Sequence, residues 1–235
     1  MSLCANSPDF SLSRRRFLGT ALAGTAATLV GAASTGFLVP EAALAQSPLT
    51  PDEALKALLD GNERYIAGRF TSFDEDKQIL RDHTVEKQEP YAAVLSCADS
   101  RVPVEILFDQ SIGHIFVARV AGNMATPEII ASLEYGAAVL GTKVILVLGH
   151  AGCGAVKAAI QGKPVPGQIS VLFPPLQTAV DQAGSDLAAA IKANASIQAT
   201  LLSKASTVLS PMVKEGKLKI VAGYYDLASG KVTLV

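Results

Sequence analysis

Three side chains suited to holding a soft divalent metal fall at two places in this 235-residue sequence: Cys97 by itself, and His150 with Cys153 three residues later. Thiolate sulfur and imidazole nitrogen are donors that zinc favours. Three of them with a fourth position left for solvent is the pattern of a catalytic zinc site, whereas a structural site closes all four positions. The remaining cysteine, Cys4, lies far upstream. A Cys97–Cys153 disulfide, or a pair of exchangeable thiols serving redox chemistry or zinc storage, would use the same two sulfurs differently. The placement of the residues on the fold has to decide.

Tyr91 to Ser96, His114 to Val120 and Lys143 to Leu148 are short apolar runs rich in β-branched residues, and each stops abruptly at small or polar residues. Such runs read as buried parallel strands. Cys97 directly follows the first, and His150 comes two residues after the third. Both therefore leave the carboxyl ends of strands, where loops diverge and form a ligand crevice. Cys153 falls at the start of the next helix and can turn back toward the same point.

The other elements support this frame. Thr50-Pro51-Asp52-Glu53 is a capped helix start with a capping box, and Leu55, Leu58, Leu59, Asn62, Tyr65 and Ile66 follow at helical spacing, predicting a helix over 51–67. Thr126-Pro127-Glu128 opens another helix, which Gly141 stops. Residues 68–89 read as a loop followed by a short irregular helix. From about Leu176 to Val213 the spacing predicts two helices, broken near Gly184 and again near Pro211. Leu218 to Val235 alternates around Ser229-Gly230, as an antiparallel hairpin or edge strand does. The expected fold class is α/β, with a mostly parallel central sheet covered by helices and a C-terminal antiparallel edge strand or hairpin.

Composition narrows the function. A net charge of −1, with no cluster of Lys and Arg after Arg14-Arg15-Arg16, gives no nucleic-acid face and no polybasic lipid patch. Residues 1–45 read as an export signal instead of fold. Ser13-Arg14-Arg15-Arg16-Phe17-Leu18 resembles a twin-arginine motif, an uncharged run extends to Pro40, and Ala43-Leu44-Ala45 offers a cleavage site before Gln46. The expectation is an exported, periplasmic protein whose folded domain spans 46–235. The competing reading is an uncleaved anchor, the one route to membrane attachment.

Cys97-Ala98-Asp99-Ser100-Arg101-Val102-Pro103, together with His150-Ala151-Gly152-Cys153-Gly154 about fifty residues later, resembles the signature of the β-carbonic anhydrases. Ala121-Gly122-Asn123 and the closing Tyr224-Tyr225-Asp226-Leu227-Ala228-Ser229-Gly230 extend the resemblance over roughly residues 50–235. It implies one zinc per subunit on Cys97, His150 and Cys153, and reversible hydration of carbon dioxide to bicarbonate and a proton by zinc-bound hydroxide. It also implies an Asp99–Arg101 ion pair beside the metal, in which Asp99 orients the hydroxide and Arg101 keeps it ionised. In some relatives that Asp instead becomes a fourth zinc ligand. Homodimers, or assemblies of dimers, are implied as well. Relatives that hydrolyse carbon disulfide or carbonyl sulfide through the same site supply the alternative activity.

Gln88, nine residues before Cys97, stands where some relatives carry a glutamine that binds substrate from the neighbouring subunit; exposure to solvent is its other reading. Phe116 and Val120 either line an apolar pocket or pack in the core. His114 replaces a common acidic residue, and its position at a strand start favours a surface or packing role over proton transfer. Val94 stands in place of the tryptophan of bicarbonate-inhibited members. Gly149, Gly152 and Gly154 lack the spacing and acidic partner of a dinucleotide loop. They read as places where backbone passes close to the metal or to a neighbouring strand.

Overall fold

The computed structural model describes residues 47–72 and 88–235. The expected export signal, and most of the expected irregular helix before Gln88, lie outside the described residues. Helix α1 (Pro51–Ile66) begins with the anticipated capping box: the Thr50 side chain accepts from Glu53 N–H, and Glu53 accepts from the Thr50 backbone. It is followed by β1 (Ala92–Ser96), a single-turn α2 (Val104–Leu107), β2 (Ile115–Arg119), α3 (Pro127–Ala138) and β3 (Val144–His150). Helices α4 (Gly154–Gln161), α5 (Phe173–Ala183), α6 (Leu187–Ala205) and α7 (Leu209–Lys214) lead to β4 (Lys219–Tyr225) and β5 (Val232–Leu234).

The sheet order is β2-β1-β3-β4-β5, parallel except for the β4–β5 pair. The chain leaves β1 outward to β2, then crosses back over β1 to β3. That reversal opens a crevice between the carboxyl ends of β1 and β3. Every residue of β1 and β3 is buried, in keeping with their unbroken apolar sequence. Alternate side chains supply two layers. Ala92, Val94, Leu146 and Leu148 face the side of α1 and α2, while Ala93, Leu95, Ile145 and Val147 face α3, α6 and α7. A third cluster, including Met124, Val156, Leu176 and Ile191, covers the carboxyl ends around Cys97 and Cys153.

Three expectations need correction. The predicted pair of helices after Leu176 is three helices, and the second break is at Ser206, not Pro211. Pro211 is the third residue of α7, where its missing N–H would have no intrahelical partner anyway. Ser206 ends the preceding helix by accepting from the N–H groups of Val208 and Leu209 while donating to Glu134. The C-terminal alternation forms the predicted antiparallel pair, but its first strand, β4, also pairs parallel with β3. Finally, β3 runs through His150 itself, which pairs with Tyr225.

Candidate metal centre

Cys97 leaves the end of β1, His150 is the last residue of β3, and Cys153 is the N-cap of α4. Ser96 pairs with Leu148 in the parallel register, so Cys97 and His150 emerge side by side. The tight turn between His150 and Cys153 needs Gly152, whose φ is +66°, a left-handed conformation that costs glycine little. Gly149 is required for a different reason. A Cβ there would sit 2.8 Å from Ile191 Cγ2 and 3.2 Å from the Ile191 carbonyl oxygen, so α6 packs directly on the carboxyl end of β3. Gly154 borders open space, and nothing in the structure explains it by close approach.

The three ligand atoms lie within 4.8 Å of one another, all on buried residues. The sulfurs are 4.0 Å apart. That is about twice a disulfide bond length, and both cysteines are free. Two sulfurs at about 2.3 Å from a tetrahedral zinc stand roughly 3.8 Å apart. His150 approaches the Ala151 carbonyl oxygen through Nδ1 at 3.0 Å. A carbonyl can only accept, so Nδ1 donates and the lone pair is on Nε2. Nε2 is fully buried with no hydrogen-bond partner, an unfavourable state for a polar atom that a metal would relieve. The residues fit zinc.

The two thiols are close enough to hydrogen-bond to one another, at 4.0 Å. Hydrogen bonding from Cys153 lowers the Cys97 thiol well below its ordinary value despite burial. Bonding to Cys97, with burial, raises that of Cys153, while the N–H groups of Val156 and Ala155 at the start of α4 act in the opposite direction. A divalent cation would bind both sulfurs as thiolates, which couples metal uptake to proton release.

Asp99 and Arg101 form the expected pair. Arg101 donates from Nε to Asp99 Oδ1 at 2.9 Å, from Nη2 to Oδ2 at 2.7 Å, and from its backbone N–H to Oδ1 at 3.0 Å. This hydrogen bonding outweighs burial and holds the carboxyl well below the usual carboxylate range. Asp99 Oδ2 is also 3.8 Å from His150 Nε2. The carboxylate is therefore ionised, clamped and adjacent to the cluster, and it sits in the fork of Arg101.

Other sequence candidates lie elsewhere. Gln88 is exposed before the amino end of β1, about 16 Å of strand away from the Cys97 of its own chain. His114 is exposed at the same end, its ring 6.4 Å from that of Tyr91, so the surface or packing reading holds. An open cavity of about 640 Å³ lined by Arg64, Tyr91, Gln110 and His114 marks that end of the sheet. Val120 packs against the cluster that contains Cys97 and Cys153, whereas Phe116 packs in the layer under α3 and against Gly136. Val120 thus borders the site and Phe116 does not.

Sequence reasoning passed over Arg119. It donates from Nε to the Cys97 carbonyl at 3.0 Å and from Nη2 to the Asp99 carbonyl at 2.6 Å, bracing the loop that carries the first candidate ligand. Its backbone-directed role leaves no spacing signal, although its place at the end of a strand beside the Cys97 loop offered one.

The family profile described as carbonic anhydrase matches residues 92–232, which include the whole cluster. The chain belongs to the β-carbonic anhydrase family. A carbonic anhydrase of Mycolicibacterium smegmatis is 35% identical over 195 residues, covering 78% of this chain and 93% of that protein. Carbonic anhydrase 2 of Mycobacterium tuberculosis is 44% identical over 110 residues, covering 47% of this chain and 53% of that protein; the chain thus matches about half the length of this relative. Among solved structures, a β-carbonic anhydrase of Coccomyxa in complex with acetazolamide superposes with a TM-score of 0.60 at 26% identity, covering 77% of this chain and 86% of that one. A tetrameric β-carbonic anhydrase of Sordaria macrospora shares the fold, with a TM-score of 0.62 at 21% identity and coverage of 78% and 97%. β-Carbonic anhydrases are zinc enzymes, and Cys97, His150 and Cys153 form a cluster able to bind that metal. Among the described residues, no helix is long and apolar enough to cross a membrane.

Proposed function

We propose that this protein catalyses the reversible hydration of carbon dioxide to bicarbonate and a proton, with zinc held by Cys97, His150 and Cys153. The observation that carries the reading is the convergence of these three buried ligand atoms within 4.8 Å, beside an ionised Asp99 clamped by Arg101. Zinc supplies a Lewis acid that makes hydroxide available near neutral pH.

The protein's own groups do the remainder. Cys97 and Cys153 bring two negative charges to the metal, which temper its acidity relative to an all-histidine site. Asp99, kept ionised by Arg101, accepts a hydrogen bond from the attacking water and directs the oxygen lone pair toward the carbon of the substrate. Because both carboxylate oxygens are tied to Arg101, the acceptor is fixed before substrate arrives. Val120 and the apolar cluster around Cys97 offer little to a charged ligand and suit a small uncharged gas.

A dimer completes the reading, because Gln88 is too far from its own cluster and could reach only a partner's. The first 45 residues support export to the periplasm with cleavage before Gln46. Sizing with light scattering would test the first, and intact mass of the periplasmic protein the second. Stopped-flow hydration of carbon dioxide, run beside hydrolysis of carbon disulfide and carbonyl sulfide, tests the activity. Turnover of the sulfur compounds without hydration would overturn it.

A further inference from the structure

We infer that Asn194 and Gln198 on α6 are positioning residues for the Cys97 sulfur, acting through the backbone turn that starts at Gly122. The inference rests on the metal-centre reading above and deepens it. Gly122 donates its N–H to Cys97 Sγ at 3.4 Å. It can do so because its φ is +81°, a conformation that disfavours any side chain; the backbone angle, not space, calls for glycine, since a Cβ there would meet Ala155 and Leu176 at an ordinary 3.4 Å. The other side of the same residue is held as firmly, since its carbonyl accepts from Asn194 Nδ2 at 2.8 Å.

Asn194 is held in turn. Its Oδ1 accepts from Gln198 Nε2 at 3.1 Å, and Gln198 Oε1 accepts from the Ala125 N–H at 3.0 Å. Asn194 and Gln198 are four residues apart and share one face of α6. Together they bind the turn at Gly122 and at Ala125. Their exposures are 0% and 3%, in a helix whose other buried residues are alanine, isoleucine and leucine. Burying two amides among such residues is unfavourable unless their polar atoms are paired. An apolar side chain would fill the space with less risk, so the amides are there for the backbone groups they hold. The consequence reaches the metal: an N–H fixed on a thiolate sets the direction of its lone pairs and the negative charge it can give to zinc.

The test uses the full chain, with zinc affinity from chelator competition and, on the cobalt-substituted protein, the sulfur-to-metal charge-transfer absorption. Asn194→Leu should weaken zinc binding by about ten- to a hundredfold and shift the absorption band. Asn62→Leu is the control for mere loss of a buried amide. Asn62 is 2% exposed and bonds the Leu107 and Gly230 carbonyls and the Val232 N–H, away from the cluster. It should lower the melting temperature while leaving affinity and band at wild-type values. If Asn194→Leu does not fold, Gln198→Met should show the same changes, smaller in size. A folded Asn194→Leu or Gln198→Met protein with affinity within about twofold of wild type and an unshifted band would overturn the inference. So would equal losses in Asn62→Leu. Wild-type protein that takes up no zinc would overturn this inference and the metal-centre reading together, whereas normal zinc uptake by the variants would overturn this one alone.

Discussion

Two aspartate–arginine pairs sit at opposite ends of the sheet, and their differences separate a working carboxylate from a structural one. Among the described residues, Asp99 takes its three donors from a single neighbour, Arg101, which is more than half exposed. On its other side, Asp99 Oδ2 is 3.8 Å from the buried His150 Nε2. Asp109 has no exposed side-chain surface and takes five donors: Arg64 Nε at 2.5 Å, and the backbone N–H and hydroxyl of both Thr71 and Ser72. Burial pushes the Asp109 carboxyl up, but these donors outweigh it and hold it well below the usual range. Both groups are ionised at neutral pH. Only Asp99 stands beside potential ligands of a metal, and only the Asp109 carboxylate ties segments 37 to 45 residues apart.

The largest effect that sharpens this contrast is kinetic. Asp99→Asn should retain zinc and fold normally while losing about 10²–10⁴-fold in hydration turnover, measured by stopped flow beside metal analysis. Undiminished turnover would remove the role given to that carboxylate. Asp109→Ala should do the reverse, lowering unfolding free energy by about 3–5 kcal/mol in urea titration with unchanged turnover per folded molecule.

The pH dependence of stability should separate the pairs further. A carboxyl whose pKa is depressed on folding contributes stability that is fully present above its unfolded value of about 3.9 and is lost as pH falls toward the folded one. Wild type should therefore lose stability below about pH 4, and Asp109→Asn should show a flatter profile across that window. A wild-type profile in Asp109→Asn would contradict the assignment. The smallest effect is expected at Arg119. Arg119→Met should lower turnover about tenfold, equivalent to about 1.4 kcal/mol, with zinc retained.

The legibility of these features follows from where their causes lie in the chain. The capping box of α1, the central strands and the convergence of the three candidate ligands are encoded locally, in periodicity, caps and residue types that follow a strand end, and all were readable. Asp99 and Arg101 were readable through the motif that contains them. Arg119, Asn194 and Gln198 were not, because each acts on backbone groups that any residue type supplies, and their partners lie 20 to 73 residues away. Proline misled at position 211, since a first helical turn tolerates it. The parallel pairing of β4 with β3 escaped for the same reason as the buried amides: alternation reports on faces, not on which strand lies alongside.

The central claim is that two sulfurs and one imidazole nitrogen bind the zinc that hydration requires. Its most direct test is elemental analysis with a stopped-flow hydration assay on wild type and Cys153→Ala. The account predicts one zinc per chain with rapid hydration in wild type, and loss of both in the variant. A metal-free wild type, or a Cys153→Ala protein that hydrates carbon dioxide at the wild-type rate, would contradict it.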